Sequence, residues 1–352
     1  MPVDPTGYDK ALADIQKLYN DHVIVDGDTY DNPKRLPFES PQLNFATGGG
    51  VPVGRWTRAW GETSSGKTRL MYGILAEAQR QGMTVAYYNI EQQYHIDHVK
   101  SVGVDVSKLK VVNTQRIEEV GEIAERLMGS VHVHLFDSCS AGKSIDELNA
   151  DITDWPRAIK ARAWGKAFDR MADRFDDKEN TIICIDQARS NQRVPGGIVP
   201  WGSQQMEFQS SLTLKFMKGG WLFKQASGEL EASSGDQKKG GATQNKSDIT
   251  GKVEPDGIEV LVRVEKSRVG RPFKTAMMRL DYDGMKLDVP WELTKAAIGL
   301  NLIESKAGGN YYIPVEGSDK PLHIRGGDKL KEFIRGDEDL QNDIIDAMFD
   351  AG

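Results

Sequence analysis

Residues 61–68 read GETSSGKT, preceded by RWTRAW (Arg55–Trp60) and followed by RLMYGILAEAQRQ (69–81). The octet satisfies G-x-x-x-x-G-K-[ST]: Gly61, Gly66, Lys67 and Thr68 hold the fixed positions, with Glu62, Thr63, Ser64 and Ser65 between. Arg55–Trp60 has the composition of a buried strand, and Thr68–Gln81 carries apolar residues at helical spacing. A glycine-rich turn between strand and helix points backbone N–H groups and a helix N-terminus at an anion. In such a loop Lys67 meets the β- and γ-phosphates and the Thr68 hydroxyl holds Mg²⁺. A chance match on a surface turn would not place strand and helix correctly on both sides. The chain is expected to bind a nucleoside triphosphate.

Outward from the loop, strands and helices alternate between about Leu36 and Asp288. Thr84–Glu91, Val131–Ser138 and Thr181–Gln187 read as strands, Ile117–Leu127 and Trp155–Phe175 as helices. This predicts an α/β fold, a mostly parallel sheet with helices on both faces. Strands at Leu212–Met217, Ile258–Val264 and Thr275–Tyr282 follow without helices between them, so one edge is expected to be antiparallel. The stretch 219–252, rich in Gly, Ser, Lys and Gln, reads as a flexible hairpin insertion in a core of residues 37–288. Residues 1–36, a helix at Tyr8–Asn20 with a short strand and a linker, form an arm too small to fold alone and suited to oligomerisation. Residues 289–352 read as a small α+β domain ending in an acidic helix, Asp337–Phe349.

Composition narrows the function less than the motifs do. The 352 residues carry a net charge of −7, which does not advertise a nucleic-acid binder. Sign is segregated, however: 337–352 holds six acidic and no basic residues, whereas Arg157–Arg174 is dense in Arg and Lys. A local basic surface is compatible with an acidic total. No apolar run approaches the roughly 20 residues of a membrane span, and MPVDPTGYDK lacks a signal peptide's apolar stretch. Cys139 and Cys184 sit in apolar settings and are expected to be buried, reduced thiols of a cytosolic protein.

Three strand ends add chemistry. VHVHLFDS (131–138) ends at Asp137, where a carboxylate beside a phosphate loop holds Mg²⁺ through water. TVAYYNIE (84–91) ends at Glu91, placed to polarise a water for in-line attack on a γ-phosphate. A weaker metal-like spacing, Glu91 with His95 and His98, lacks a strong third ligand. TIICIDQ (181–187) ends at Gln187, whose amide suits γ-phosphate sensing ahead of the loop ARSNQRVPGGIVPWGSQQ. Arg189 and Arg193 with exposed Ile198, Val199 and Trp201 would suit a surface that contacts phosphates and stacks on or wedges between bases.

Taken in order, ATGGGVPVGR, GETSSGKTRL, QGMTVAYYNIEQQYHIDHVKSVGVD, LFDS, IDQAR and VRVEKSRVGRPFK resemble the RecA-type recombinases. The resemblance runs nearly gap-free from about Ala46 to Arg189, and VEKSR is closest in flavour to bacteriophage recombinases. It implies a DNA-dependent ATPase that forms helical filaments on single-stranded DNA and exchanges strands with double-stranded DNA. It further implies ATP and Mg²⁺ as ligands, and a cytoplasmic setting in a bacterial or phage-infected cell. On the family's pattern Glu91 is catalytic, Gln187 senses the γ-phosphate, Asp137 serves Mg²⁺, and Tyr282 lies near adenine. Lys266 and Arg268 match cations that reach a neighbouring subunit's ATP. Arg157, Lys160 and Arg162 fall on the first DNA-binding segment, Arg189–Phe208 on the second, and Phe208 on a subunit contact. Departures occur at His98, where the family has an adenine-stacking tyrosine, at His95, where aspartate is usual, and at Glu207, where it has lysine. A ring-forming helicase and a non-catalytic nucleotide-gated scaffold share such a core. The N-terminal arm and VEKSR favour the filament over the ring, and Lys67, Thr68, Glu91 and Asp137 argue against the scaffold.

Overall fold

The structure, a computed structural model, describes residues 7–19, 32–150, 159–175, 179–190, 197–201, 204–224, 230–232, 254–315, 318 and 320–351. The chain divides into two compact units, Met1–Lys34 and Arg35–Gly352. In the first, helix α1 (Tyr8–Tyr19) repeats Tyr8, Leu12, Ile15 and Tyr19 at helical spacing. The short strand expected in VIVDGDTYDNPKRLP falls largely outside the described residues.

The second unit opens with β1 (Arg35–Leu36), α2 (Pro41–Thr47) and β2 (Val51–Pro52), the two strands pairing antiparallel. Ser40 caps α2 by accepting from the Leu43 N–H, Pro41 starts the helix, and Gly48 at φ +73 ends it. The phosphate-loop region then supplies β3 (Trp56–Gly61), α3 (Lys67–Arg80), β4 (Val85–Asn89), α4 (Ile96–Ser101) and β5 (Leu109–Val112). Next come α5 (Ile117–Leu127), β6 (Val133–Asp137), α6 (Ile145–Asn149), α7 (Ile159–Asp173) and β7 (Thr181–Ser190). Then follow β8 (Ile198–Pro200), α8 (Gln204–Gln209), β9 (Ser210–Lys224), β10 (Leu230–Ala232), β11 (Gly257–Ser267), β12 (Thr275–Asp281) and β13 (Lys286–Leu287). Among the described residues these strands form an 11-stranded sheet in the order β13-β12-β11-β9-β3-β7-β6-β4-β5, with β10 on β9 and β8 on β7. From β9 through β5 the pairs are parallel; β9 to β13 is the antiparallel edge.

Strand residues alternate between two cores, as a sheet covered on both faces requires. Tyr87, Leu135, Ile183 and Leu214 join Leu70, Ile74 and Leu75 of α3 in one apolar cluster. Tyr88, Phe136, Ile182 and Cys184 join Val120 of α5 and Trp164 and Phe168 of α7 in the other. Cys139 and Cys184 are both buried and free. Burying a side chain of this size contributes about 1.5–3 kcal/mol, so each face is held by many such increments.

Two stretches are more ordered than their composition suggests. β7 runs on to Ser190 because β8 returns to pair with Ala188–Ser190. β9 continues to Lys224, whose N–H donates to the Asp256 carboxylate at 2.8 Å. The remainder of 219–252 lies mostly outside the described residues. Beyond the sheet, α9 (Val289–Gly299), the three-stranded sheet β14 (Glu304–Lys306), β15 (Asn310–Ile313) and β16 (Leu322–Arg325), α10 (Gly327–Gly336) and α11 (Glu338–Asp350) share a third apolar cluster. Phe45 of α2 packs on that cluster, and Glu292 of α9 accepts from the Ser40 hydroxyl at 2.6 Å.

Candidate active site

Gly61 ends β3 against β9, where a Cβ would lie 2.0 Å from the Phe216 carbonyl oxygen, so only glycine fits. Gly66 has φ +78, the left-handed conformation glycine adopts without strain, and leads directly into α3. The helix N-terminus therefore opens on the loop. Lys67 is buried there; its Nζ donates to the carbonyls of Gly61 at 3.1 Å and Glu62 at 2.5 Å. Burial pulls its pKa down to about 8, while the carboxylates of Asp137 and Glu91 oppose that fall.

Parallel strands β4, β6 and β7 run toward one sheet edge. That edge gathers Asp137 at the end of β6, Glu91 just beyond β4, and Gln187 within β7, which was expected to end there but continues to Ser190. The Thr68 hydroxyl donates to Asp137 Oδ2 at 2.9 Å, and the Tyr87 hydroxyl to the same oxygen at 3.1 Å. Burial, with the Glu91 charge, pushes the Asp137 pKa up to about 6; the two hydroxyls pull it the other way. Glu91 Oε1 accepts from the Ser138 hydroxyl and from Gln187 Nε2 at 2.8 Å. Ser140 Oγ lies 2.8 Å from Ser138 Oγ and accepts from the Gln187 N–H at 3.3 Å. Lys67, Thr68, Glu91, Asp137 and Gln187 thus line one cavity of about 520 Å³.

His98 and Tyr282 line the same cavity, and His98 stacks on His95 at 4.5 Å. Tyr87 and Ser140 were not singled out in the sequence. Tyr87 lies on the strand parity of Asn89 and Glu91, a signal that could have found it. Arg69 was also missed: its guanidinium donates to the Met285 carbonyl at 2.5 Å and pairs with Glu39 at 2.7 Å. It ties α3 to the turn that follows Tyr282.

The DNA-facing candidates are brought together only in part. Lys160 Nζ sits 5.3 Å from the Trp201 ring centroid, joining the first segment to the second. Arg162 instead lines a groove between α5 and α7 with Glu118 and Lys166. Arg189 is exposed at the end of β7; Arg157 and Arg193 lie outside the described residues. Ile198, Val199 and Trp201, expected to be exposed, are half-buried, because β8 pairs with β7 and Trp201 packs against the second core cluster. Phe208, on α8, is 64% exposed. Lys266 and Arg268 are not among the residues lining the cavity. Lys266 Nζ donates to the Glu207 carbonyl at 2.5 Å, and the Arg268 N–H to the Ser211 carbonyl at 2.8 Å. Burial and the neighbouring Arg268 hold the Lys266 pKa below its usual value.

A phosphate loop facing strand-end carboxylates on a mostly parallel sheet defines an ATPase core of the phosphate-loop class. The family model of the RecA N-terminal domain matches residues 7–229. Protein RecA of Fusobacterium nucleatum subsp. nucleatum is 29% identical over 316 residues, covering 87% of this chain and 76% of that one. Protein RecA of Thermotoga petrophila is 27% identical over 342 residues, covering 96% and 88%. Protein RecA of Francisella tularensis subsp. novicida is 28% identical over 352 residues, covering 97% and 88%. The chain belongs to the RecA family. It is a nucleotide-binding, DNA-dependent ATPase of the recombinase type, acting in DNA recombination and repair. No described helix is long and apolar enough to cross a membrane.

Proposed function

We propose that the chain polymerises on single-stranded DNA as a helical filament, binds ATP with Mg²⁺ in this cavity, and exchanges strands with homologous double-stranded DNA. The observation that carries this reading is the Glu91 carboxylate, joined to Ser138 and Gln187 beside the Thr68–Asp137 pair. Lys67 and the N–H groups at the start of α3 bind phosphate. The hydroxyl of Thr68 and the carboxylate of Asp137 are hard oxygen donors and fit Mg²⁺ held by few protein ligands plus phosphates. When bound, that ion would supply charge neutralisation at the phosphates. Glu91 orients water and takes its proton. The Gln187 amide, donated to Glu91, exchanges that partner for the γ-phosphate and passes the change along β7.

Lys266 and Arg268 act from the neighbouring subunit, which makes turnover depend on assembly. Phe208 packs into that neighbour, and residues 1–36 dock on it. His98 and Tyr282 flank the base. Arg157, Lys160, Arg162, Arg189 and Arg193 neutralise DNA phosphates, with Ile198, Val199 and Trp201 against bases. Residues 289–352 form the tail domain, and the setting is the cytoplasm of a bacterial or phage-infected cell. ATP turnover measured with and without single-stranded DNA, with electron micrographs of the same sample, tests the whole. Stimulated turnover with helical filaments is expected; background turnover, or closed rings alone, would overturn it.

A further inference from the structure

Arg58 is a charged side chain in the middle of a central strand, and the chemistry above gives it no part. It is 3% exposed on β3, and its partner Asp186 is 0% exposed on β7. Nε and Nη2 both reach Asp186 Oδ2, at 2.9 and 2.8 Å. Nη2 also donates to the Trp201 carbonyl at 2.8 Å. The Trp201 N–H donates in turn to the Gln187 carbonyl at 3.0 Å. One residue of the returning limb is therefore gripped at both its N–H and its C=O, from β7 and from β3.

Stability alone does not account for this pair. Asp186 Oδ1 finds no hydrogen-bond partner among the described residues. Two apolar side chains of similar volume would hold β3 to β7 as well as a buried ion pair does. They could not, however, present a fixed N–H to the Trp201 carbonyl. A planar guanidinium reaches two acceptors at once, and its geometry is set by the carboxylate it faces.

We propose that Arg58 is a positioning residue that locks the Trp201 limb to the two strands framing the nucleotide cavity. Gly61, three residues beyond Arg58, opens the phosphate loop, and Gln187 directly follows Asp186. Displacement of β7 against β3 is therefore written into the orientation of the Trp201 peptide. This rests on the reading that Gln187 senses nucleotide and that 189–208 meets DNA.

The test uses the full chain, with an oligothymidylate as the DNA. Arg58→Lys keeps a charge opposite Asp186 but lacks the second branch of donors. Arg58→Met/Asp186→Asn removes the pair without leaving a buried unpaired charge. Both are expected to melt near wild type and keep DNA-independent turnover, with stimulation by DNA reduced about tenfold or more. Unchanged stimulation in either folded variant overturns the proposal. Gln187→Ala, run in parallel, separates the two ideas. Lost stimulation there with full stimulation in Arg58→Lys sinks the role of Arg58 alone, whereas intact stimulation in Gln187→Ala sinks the sensing role it rests on. Hydrogen exchange on the wild-type chain needs no variant to fold. The Trp201 amide should be protected like those of β7, and exchange at an open-loop rate would overturn the lock.

Discussion

The nucleotide edge of this molecule and the edge proposed to meet DNA are linked by different contacts. At the nucleotide edge, Thr68 and Tyr87 donate to Asp137, Ser138 and Gln187 donate to Glu91, and the Glu91 N–H joins the two groups by donating to the Asp137 carbonyl at 3.1 Å. At the edge proposed to meet DNA, the links among the described residues are β8 on β7, Lys160 over Trp201, and the peptide of Trp201 itself. Chemistry needs atoms fixed to within fractions of an ångström. Binding a polyanion needs charge in roughly the right place, since phosphate contacts position the strand without reading it.

That contrast breaks most sharply at Lys67. Lys67→Ala should lower phosphate release, measured with saturating single-stranded DNA, by about 10²-fold or more. Turnover near wild type would mean the phosphate-loop edge is not the catalytic one. Glu91→Gln should slow the same rate by about 10²-fold while nucleotide affinity, measured by fluorescent-nucleotide titration, stays within a few-fold. Loss of affinity with unchanged turnover would move Glu91 from the chemistry to binding.

A smaller effect probes whether rigidity extends behind the site. Glu292 is wholly buried, and burial pushes its pKa up to about 8 from 4.5, against hydrogen bonds from Ser40 and the Gln42 N–H. The unfolded chain ionises first, so the folded state binds the extra proton and stability falls as pH rises from about 4.5 to about 8. Above that range the loss is complete. Denaturation of Glu292→Gln should show this slope removed, shifting the comparison with wild type by about 1–3 kcal/mol across the window in the variant's favour. Parallel pH profiles would place the carboxyl's ionisation elsewhere.

The smallest effect belongs to the edge proposed to meet DNA. Arg189→Ala should weaken binding to single-stranded DNA only a few-fold and reduce the slope of log affinity against log salt by about 0.7. An unchanged slope would remove Arg189 from the contact surface.

How much of this could be read from the chain depends on distance along it. Gly61–Thr68 is a local pattern. Of the three residues around it only Asp137 ends its strand: Glu91 lies beyond β4, and β7 continues past Gln187 to Ser190. All three were nonetheless legible, because each closes an apolar run of the parallel sheet. The Arg58–Asp186 pair was not, since β3 and β7 are 128 positions apart at that contact and nothing in either segment announces the pairing. Glu292 meets Ser40 across 252 positions, and only the assembled fold shows that a helix cap and a buried carboxyl share one proton-bearing contact. Trp201 reads as an exposed aromatic by its glycine-rich neighbours, yet the return of β8 half-buries it. Lys266 and Arg268 do not line the cavity of their own chain, so the role proposed for them rests on a neighbour that one sequence does not describe.

The bond from the Lys224 N–H to Asp256 brings the two ends of the intervening segment to adjacent points on the sheet. A loop whose ends are already closed can change length at little cost, about 0.6 kcal/mol for each doubling. The β9–β11 corner is therefore a natural port for grafting. A fluorescent domain or an affinity tag spliced between β10 and β11 would spare the register of β10 on β9 and mark each protomer without blocking either terminus.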